Sequence, residues 1–205
     1  MQTVSDETFD GDDREGDELV GLRYERCAFR GVELTDAVLR GCAFDACTFS
    51  GVRMPGSTHA DTAYTGCTFT GCSLLGASMS DCTLTGSRLV DCTVRRLRVD
   101  RGNWALVTLT GRTPGTGSDL RDARLTGVRL READLGRVDL RDATVRDCDL
   151  SAAFLVGADL RGADLRGSDL GGADLREARL AGAVVTPLQA VALVESWGLV
   201  VDDLP

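Results

Sequence analysis

A period of five residues leaves a chain few ways to fold. From Ala158 to Glu177 the sequence reads ADLRG ADLRG SDLGG ADLRE. Each unit places a small residue first (the slot) and a large apolar residue two positions later (the centre). Centres recur at Leu120, Leu125, Leu130 and so on to Leu180 and Val185, and in a second phase from Leu19 to Leu109. Of 33 centres, 32 are apolar and one is His59. Of 33 slots, 30 hold Ala, Cys, Ser, Thr, Val or Gly, the exceptions being Asp17, Leu22 and Leu97.

Five matches neither the helical period of 3.6 nor the strand period of 2. If every fifth residue points inward, each unit makes one side of a coil and then turns a corner. Stacked coils bury centres and slots as one continuous core, joined by backbone hydrogen bonds about 4.8 Å apart. A bulky centre needs a small slot beside it to fill the cross-section. The sequence thus predicts an all-β solenoid. Columns of residues twenty apart (Cys27, Cys47, Cys67; Phe29, Phe49, Phe69; Tyr24, Phe44, Tyr64) point to four sides per coil. The units then make roughly eight coils and about 40 Å of rod.

Cysteine usage follows the same logic. All eight Cys occupy slots, where a thiol is a small hydrophobe of the right size. No Cys-x-x-Cys pair occurs and His59 is the only His, which argues against zinc and against a disulfide framework. Reduced thiols and an N-terminus without a signal sequence predict the cytoplasm, and no apolar run is long enough to span a membrane.

The 23 basic residues are all Arg and the net charge is −9. Residues 1–20 contribute −7 of it, so 1–16 are expected to form an acidic, partly ordered lead-in. The β-helix is expected over 17–186, as arrays 17–111 and 118–186. Arg95, Arg96, Arg98 and Arg101 make a local basic patch, but acids outnumber bases overall and direct nucleic-acid binding is disfavoured. His59 at a centre, beside Pro55, reads as a buried, hydrogen-bonded His.

The phase breaks at 111–117, a stretch with turn chemistry throughout. About six residues are inserted there and are expected to bulge as an external loop. Arg112, Thr113, Pro114, Gly115 and Thr116 are the candidate partner-binding residues; a tolerated insertion is the alternative.

The repeat ends at Thr186-Pro187-Leu188-Gln189, with Thr as N-cap, Pro at N1 and Gln at N3. The helix is predicted to run to about Trp197 and stop at Gly198, within a C-terminal segment 187–205. It is apolar on two sides and needs two partners. One is the open end of the solenoid and the other is a second copy. The expected dimer interface is Leu188, Val191, Ala192, Leu193, Val194, Trp197 and Leu199.

The A-D-L-x-x consensus resembles the pentapeptide-repeat family, which implies a right-handed quadrilateral parallel β-helix with four units per coil. Cys47 to Phe69, with its out-of-pattern His59, and the tail from Ala181 through Gln189 to Leu199 resemble the MfpA/Qnr gyrase-interacting branch, closest to MfpA. That resemblance implies a dimer that imitates B-form DNA, occupies the DNA-binding saddle of DNA gyrase and counters quinolones. Loops placed like 111–117 aid gyrase protection in the Qnr part of that branch. A dimer carries −18, whereas duplex DNA about 80 Å long carries roughly −47. Mimicry must therefore rest on local acidic surface, for which Asp149, Asp169, Asp174 and Glu177 are the candidates.

No motif carries catalysis, a cofactor or a metal, so a non-enzyme is expected. The competing readings are a passive interaction scaffold and a self-resistance factor that shields gyrase from a co-encoded antibiotic.

Overall fold

The computed structural model describes residues 3–110, 118–196 and 198–202. Parallel pairing climbs the chain in steps of one coil. On one face Thr3 pairs with Arg23, Arg23 with Ala43, Ala43 with Ala63 and Ala63 with Thr83. The column continues through Asn103, Arg129, Asp149 and Asp169. Eight such steps make a rod of about 38 Å. Three further columns run beside it, and we name the four faces by the centres Tyr24, Phe29, Leu34 and Leu39. Together they form a right-handed quadrilateral β-helix with a single C-terminal helix among the described residues.

The step is twenty residues everywhere except across the phase break. There Thr93 pairs with Asp119, Arg98 with Arg124, Asn103 with Arg129 and Thr108 with Asp134, a step of 26. The six extra residues fall between the Phe29 face, left at Leu109, and the Leu34 face, resumed at Leu120.

Each unit turns its corner at the residue two past the centre. Every described corner from Asp6 to Leu106 and from Asp122 to Gly182 has a positive φ there. L-residues resist that conformation, Gly adopts it freely, and Asp tolerates it better than most. This is why Gly and Asp recur at this position.

Inside, the large centres stack in register. Phe9, Phe29, Phe49 and Phe69 lie nearly parallel with centroids 4.9, 4.8 and 4.5 Å apart. Tyr24, Phe44 and Tyr64 do the same at 5.1 and 4.9 Å. The two stacks meet edge to face, as at Phe29 and Phe44, the arrangement that ring quadrupoles favour. The slot cysteines are buried and free. Their thiols donate to backbone carbonyls of the coil before, as Cys47 does to Tyr24 O at 3.4 Å and Cys67 to Phe44 O at 3.3 Å. Burial pushes the Cys82 and Cys148 thiols up to about 11, so they stay protonated and unreactive. Leu97 fills its slot completely buried between the smaller centres Val94 and Val99.

The solenoid starts earlier than its expected beginning at residue 17. Thr3–Ser5 and Thr8–Asp10 are strands, and Asp13 bridges to Glu33. Arg14 stands at a centre without disrupting the coil. Its backbone N–H donates to Glu33 O at 2.9 Å, while its guanidinium reaches Asp12 at 3.5 Å and Asp17 at 4.0 Å. A terminal coil has an open side, so the Arg stem can lie over the lumen with its charge in solvent.

Candidate partner-binding surfaces

The C-terminal end is built by Thr186 and Gln189. Gln189 N–H donates to Thr186 Oγ1 at 3.3 Å and Gln189 Oε1 accepts from Thr186 N–H at 2.7 Å, a reciprocal capping box. Pro187 needs no donor in the first turn of the helix Pro187–Ser196. Gly198, at φ 84, ends it, with its N–H donating to Glu195 O at 2.9 Å. Gln189 does more than the capping box requires. Its Nε2 donates to Leu165 O and Ser168 O, both at 2.7 Å, and ties the helix to carbonyls of the last coils.

The helix leaves the end of the lumen only partly covered. Leu170, Leu175, Leu180 and Val185 pack on the core but remain half-buried. Between the helix and the last coil runs a cleft of about 360 Å³ lined by Leu170, Leu188, Gln189, Ala192 and Leu193. Leu188 is 80% exposed and Leu199 57%. Val191, Leu193 and Val194 are half-buried, and Ala192 is exposed. Trp197 lies outside the described residues.

The four acidic candidates do not form one cluster. Asp149 and Asp169 are neighbours in register on the Tyr24 face. Neither meets an arginine within ion-pair distance among the described residues. Asp149 accepts from Ser151 N–H at 3.0 Å and from the Ser151 hydroxyl, which holds its carboxyl below the usual range; Asp169 accepts from Gly171 N–H at 2.8 Å. Asp174 sits on the adjacent Phe29 face and is gripped by Arg176, Nε to Oδ1 at 2.9 Å and Nη2 to Oδ2 at 2.6 Å. Glu177 occupies the next corner, at φ 58. Asp169, in turn, borders the helix cleft.

Elsewhere in the second array Asp and Arg neutralise each other. On the Leu34 face Asp119, Asp139 and Asp159 stack, and each is held in its own unit by Arg121, Arg141 or Arg161 at 2.6–2.7 Å. Arg121 also leans to Asp139 at 3.5 Å and Arg141 to Asp159 at 3.9 Å, so the pairs form a ladder. Such exposed pairs contribute little stability each, but they cancel the charge of the face. Phe154, in register with Asp134 and Asp174, is 53% exposed on the Phe29 face.

Arg112, Thr113, Pro114, Gly115 and Thr116 lie outside the described residues. The base of their segment is drawn together, with the Ser118 hydroxyl donating to Thr110 O at 3.5 Å.

His59 is fully buried in a polar relay. The Ser57 hydroxyl donates to Met54 O at 2.7 Å, so its oxygen accepts from His59 Nε2–H at 2.8 Å. His59 Nδ1 then accepts from the Tyr64 hydroxyl at 2.7 Å. Desolvation lowers the His59 pKa to about 4, which keeps the ring neutral. The relay is enclosed by the core, and every member has a partner; it is a packing device rather than an accessible site. No group of three or more His, Cys, Asp or Glu residues among those described is placed to hold a metal. No described helix is long and apolar enough to cross a membrane.

The pentapeptide-repeat family model, in eight copies, matches residues 25–58, 65–96, 116–147 and 146–182. This chain belongs to the pentapeptide-repeat family. Its fold is similar to that of a trypsin-treated form of QnrB1, described as a plasmid-mediated fluoroquinolone resistance protein, at a TM-score of 0.59 and 21% identity, covering 98% of this chain and 97% of that one. Full-length QnrB1 matches at a TM-score of 0.47 and 18% identity, over 97% of this chain and 100% of that one. HetL, a pentapeptide-repeat protein involved in heterocyst differentiation regulation in the cyanobacterium Nostoc, matches at 0.44 and 23%, over 89% of each chain. No curated protein matches the chain in sequence.

Proposed function

We propose that this pentapeptide-repeat protein binds DNA gyrase as a dimeric, non-catalytic mimic of DNA and shields it from quinolones or another gyrase poison. One observation carries the reading: the acidic pair Asp149–Asp169, which no arginine bridges within 4.0 Å among the described residues although Arg129 stands on the next rung, runs up to the open apolar cleft of the C-terminal helix. A second copy seated there through Leu188, Val191, Ala192, Leu193, Val194, Trp197 and Leu199 buries the cleft and the strand edges of the last coil. It also brings two acidic stripes together at the dimer centre, where a DNA mimic needs its charge.

Asp174, whose charge Arg176 offsets, and Glu177 lie around the corner from that pair, and Arg112 to Thr116 provide a further contact. The fluoroquinolone resistance of QnrB1, a protein of the same fold, agrees with this reading, as do the stretches Cys47–Phe69 and Ala181–Leu199, which resemble the MfpA side of the branch. The cytoplasm is the setting that suits free thiols and such a partner.

A neutral scaffold unrelated to topoisomerases is the second reading, favoured by the Asp–Arg ladder that cancels charge on the Leu34 face. Competition separates the two. A DNA mimic displaces a labelled duplex from gyrase, and Asp149→Asn with Asp169→Asn weakens that displacement. A protein that leaves the duplex bound at saturating concentration is not a DNA mimic.

A further inference from the structure

The basic patch around residue 98 has no part in that function, and the fold gives it a partner the linear sequence conceals. Because the coil across the phase break is six residues longer, Arg124 rather than Ser118 lands in register with Arg98 on the Leu39 face. The column there reads Thr58, Ser78, Arg98, Arg124, Thr144. Two guanidinium-bearing residues thus occupy neighbouring rungs, about 4.8 Å apart, with a hydroxyl residue above and below.

Like charges directly opposite across a ladder repel. Elsewhere the fold offsets this, since Arg121, Arg141 and Arg161 each hold their own Asp. Arg98 and Arg124 are exposed and have no carboxylate within 4.0 Å among the described residues. The nearby acids are already taken. Asp100 and Asp81 are bound by Arg101 at 2.7 and 2.8 Å, Asp122 faces Arg95 at 3.6 Å, and Asp164 is held by Arg146 at 2.6 Å. The two arginines border a groove of about 450 Å³ with Ser78, Ser80, Asp100 and Thr126.

We propose that Arg98 and Arg124 form an oxyanion clamp on the Leu39 face that takes an acidic side chain from an extended segment of a protein partner. A guanidinium fork matches a carboxylate with two parallel hydrogen bonds, and two stacked forks enclose one carboxylate from both sides. Ser78 lines the groove beside Arg98, with its own hydroxyl donating to Thr58 Oγ1 at 3.3 Å. A polyphosphate fits less well, because the groove is edged by Asp100 and the chain carries 32 acids against 23 bases. The clamp sits mid-rod, separate from the C-terminal cleft, and stands whether or not gyrase is the partner.

The test is fluorescence anisotropy at low salt with the full chain and a labelled seven-residue peptide of alternating glycine and glutamate. A glutamine counterpart and a single-stranded oligonucleotide serve as competitors. The glutamate peptide is expected to bind about tenfold more tightly than the glutamine one. Arg98→Ala and Arg124→Ala are each expected to weaken binding about fivefold, as loss of half of a bidentate clamp implies. Arg88→Ala, the same charge change on the Phe29 face, leaves binding unchanged. Arg98→Glu, which gives Arg124 an internal carboxylate, abolishes binding while raising the melting temperature. Equal weakening by Arg88→Ala, or no preference for glutamate over glutamine, overturns the clamp. An oligonucleotide that displaces the peptide at lower concentration than unlabelled peptide does overturns the peptide assignment.

Discussion

Gln189 Nε2 donates to Leu165 O at 2.7 Å, and this contact joins the C-terminal helix to the solenoid it must close. The same side chain caps the helix at Thr186, so one residue fixes both where the helix starts and where it sits. Gln189→Ala removes the cap acceptor and leaves Leu165 O and Ser168 O without this donor. Its expected cost is about 1–3 kcal/mol in urea denaturation. The same variant is expected to weaken dimerisation in light scattering. Gln189→Glu keeps the cap acceptor but sets a carboxylate oxygen against the Leu165 and Ser168 carbonyls, and it is expected to destabilise at least as much as Gln189→Ala.

Leu188, 80% exposed beside the cleft, offers the most direct test of self-association. Leu188→Asp is expected to give a folded monomer with an unchanged far-ultraviolet spectrum. A wild-type chain that is already monomeric at micromolar concentration removes the dimer from the account.

His59 links stability to pH. Its pKa in the fold is about 4, below the ~6.5 of an unfolded chain, so between these values the unfolded state binds more protons. The contribution is complete above about pH 6.5 and is lost as pH falls toward 4, amounting to about 3 kcal/mol. His59→Leu with Tyr64→Phe replaces the relay by apolar packing and is expected to flatten the melting temperature between pH 7 and pH 4.5. His59→Leu alone deprives the buried Tyr64 hydroxyl of its acceptor and is expected to destabilise the protein by about 1–3 kcal/mol at pH 7.

Gly102 occupies the slot of Trp104 at φ 118, and a Cβ there would meet Cys82 O at 2.3 Å. Gly102→Ala is expected to cost about 3 kcal/mol, because backbone on both sides must shift. Gly31, at φ 56 with open space around it, is expected to accept Ala for about 1 kcal/mol. Urea midpoints of the two variants measure the difference between strain with a clash and strain alone.

Much of the architecture is legible because each unit is local. The alternation of a small slot with a large centre encodes one side of the coil, and residues twenty apart stack as Tyr24, Phe44 and Tyr64 do. The phase break between Leu109 and Leu120 likewise predicts the longer step that the pairing of Arg98 with Arg124 records. Arg14 hides the coil that Thr3–Ser5 and Thr8–Asp10 begin, since an open coil does not need an apolar centre. The relay through His59 was legible as burial but not as a chain to Tyr64, which requires knowing that adjacent centres converge in the lumen. The surface was least legible. A repeat of Asp and Arg does not reveal that Asp174 is paired directly with Arg176 while Asp149 and Asp169 accept from Ser151 and Gly171 with no arginine within 4.0 Å among the described residues.

Action on gyrase is read out by counting quinolone-stabilised cleaved DNA complexes. With purified protein titrated into gyrase, DNA and a fluoroquinolone, fewer cleaved complexes are expected, with supercoiling retained or lost only at higher protein concentration. Leu188→Asp and the Asp149→Asn, Asp169→Asn pair are expected to blunt the effect. Unchanged cleavage and unchanged supercoiling, with gyrase from the same source and the protein in excess, would contradict action on gyrase.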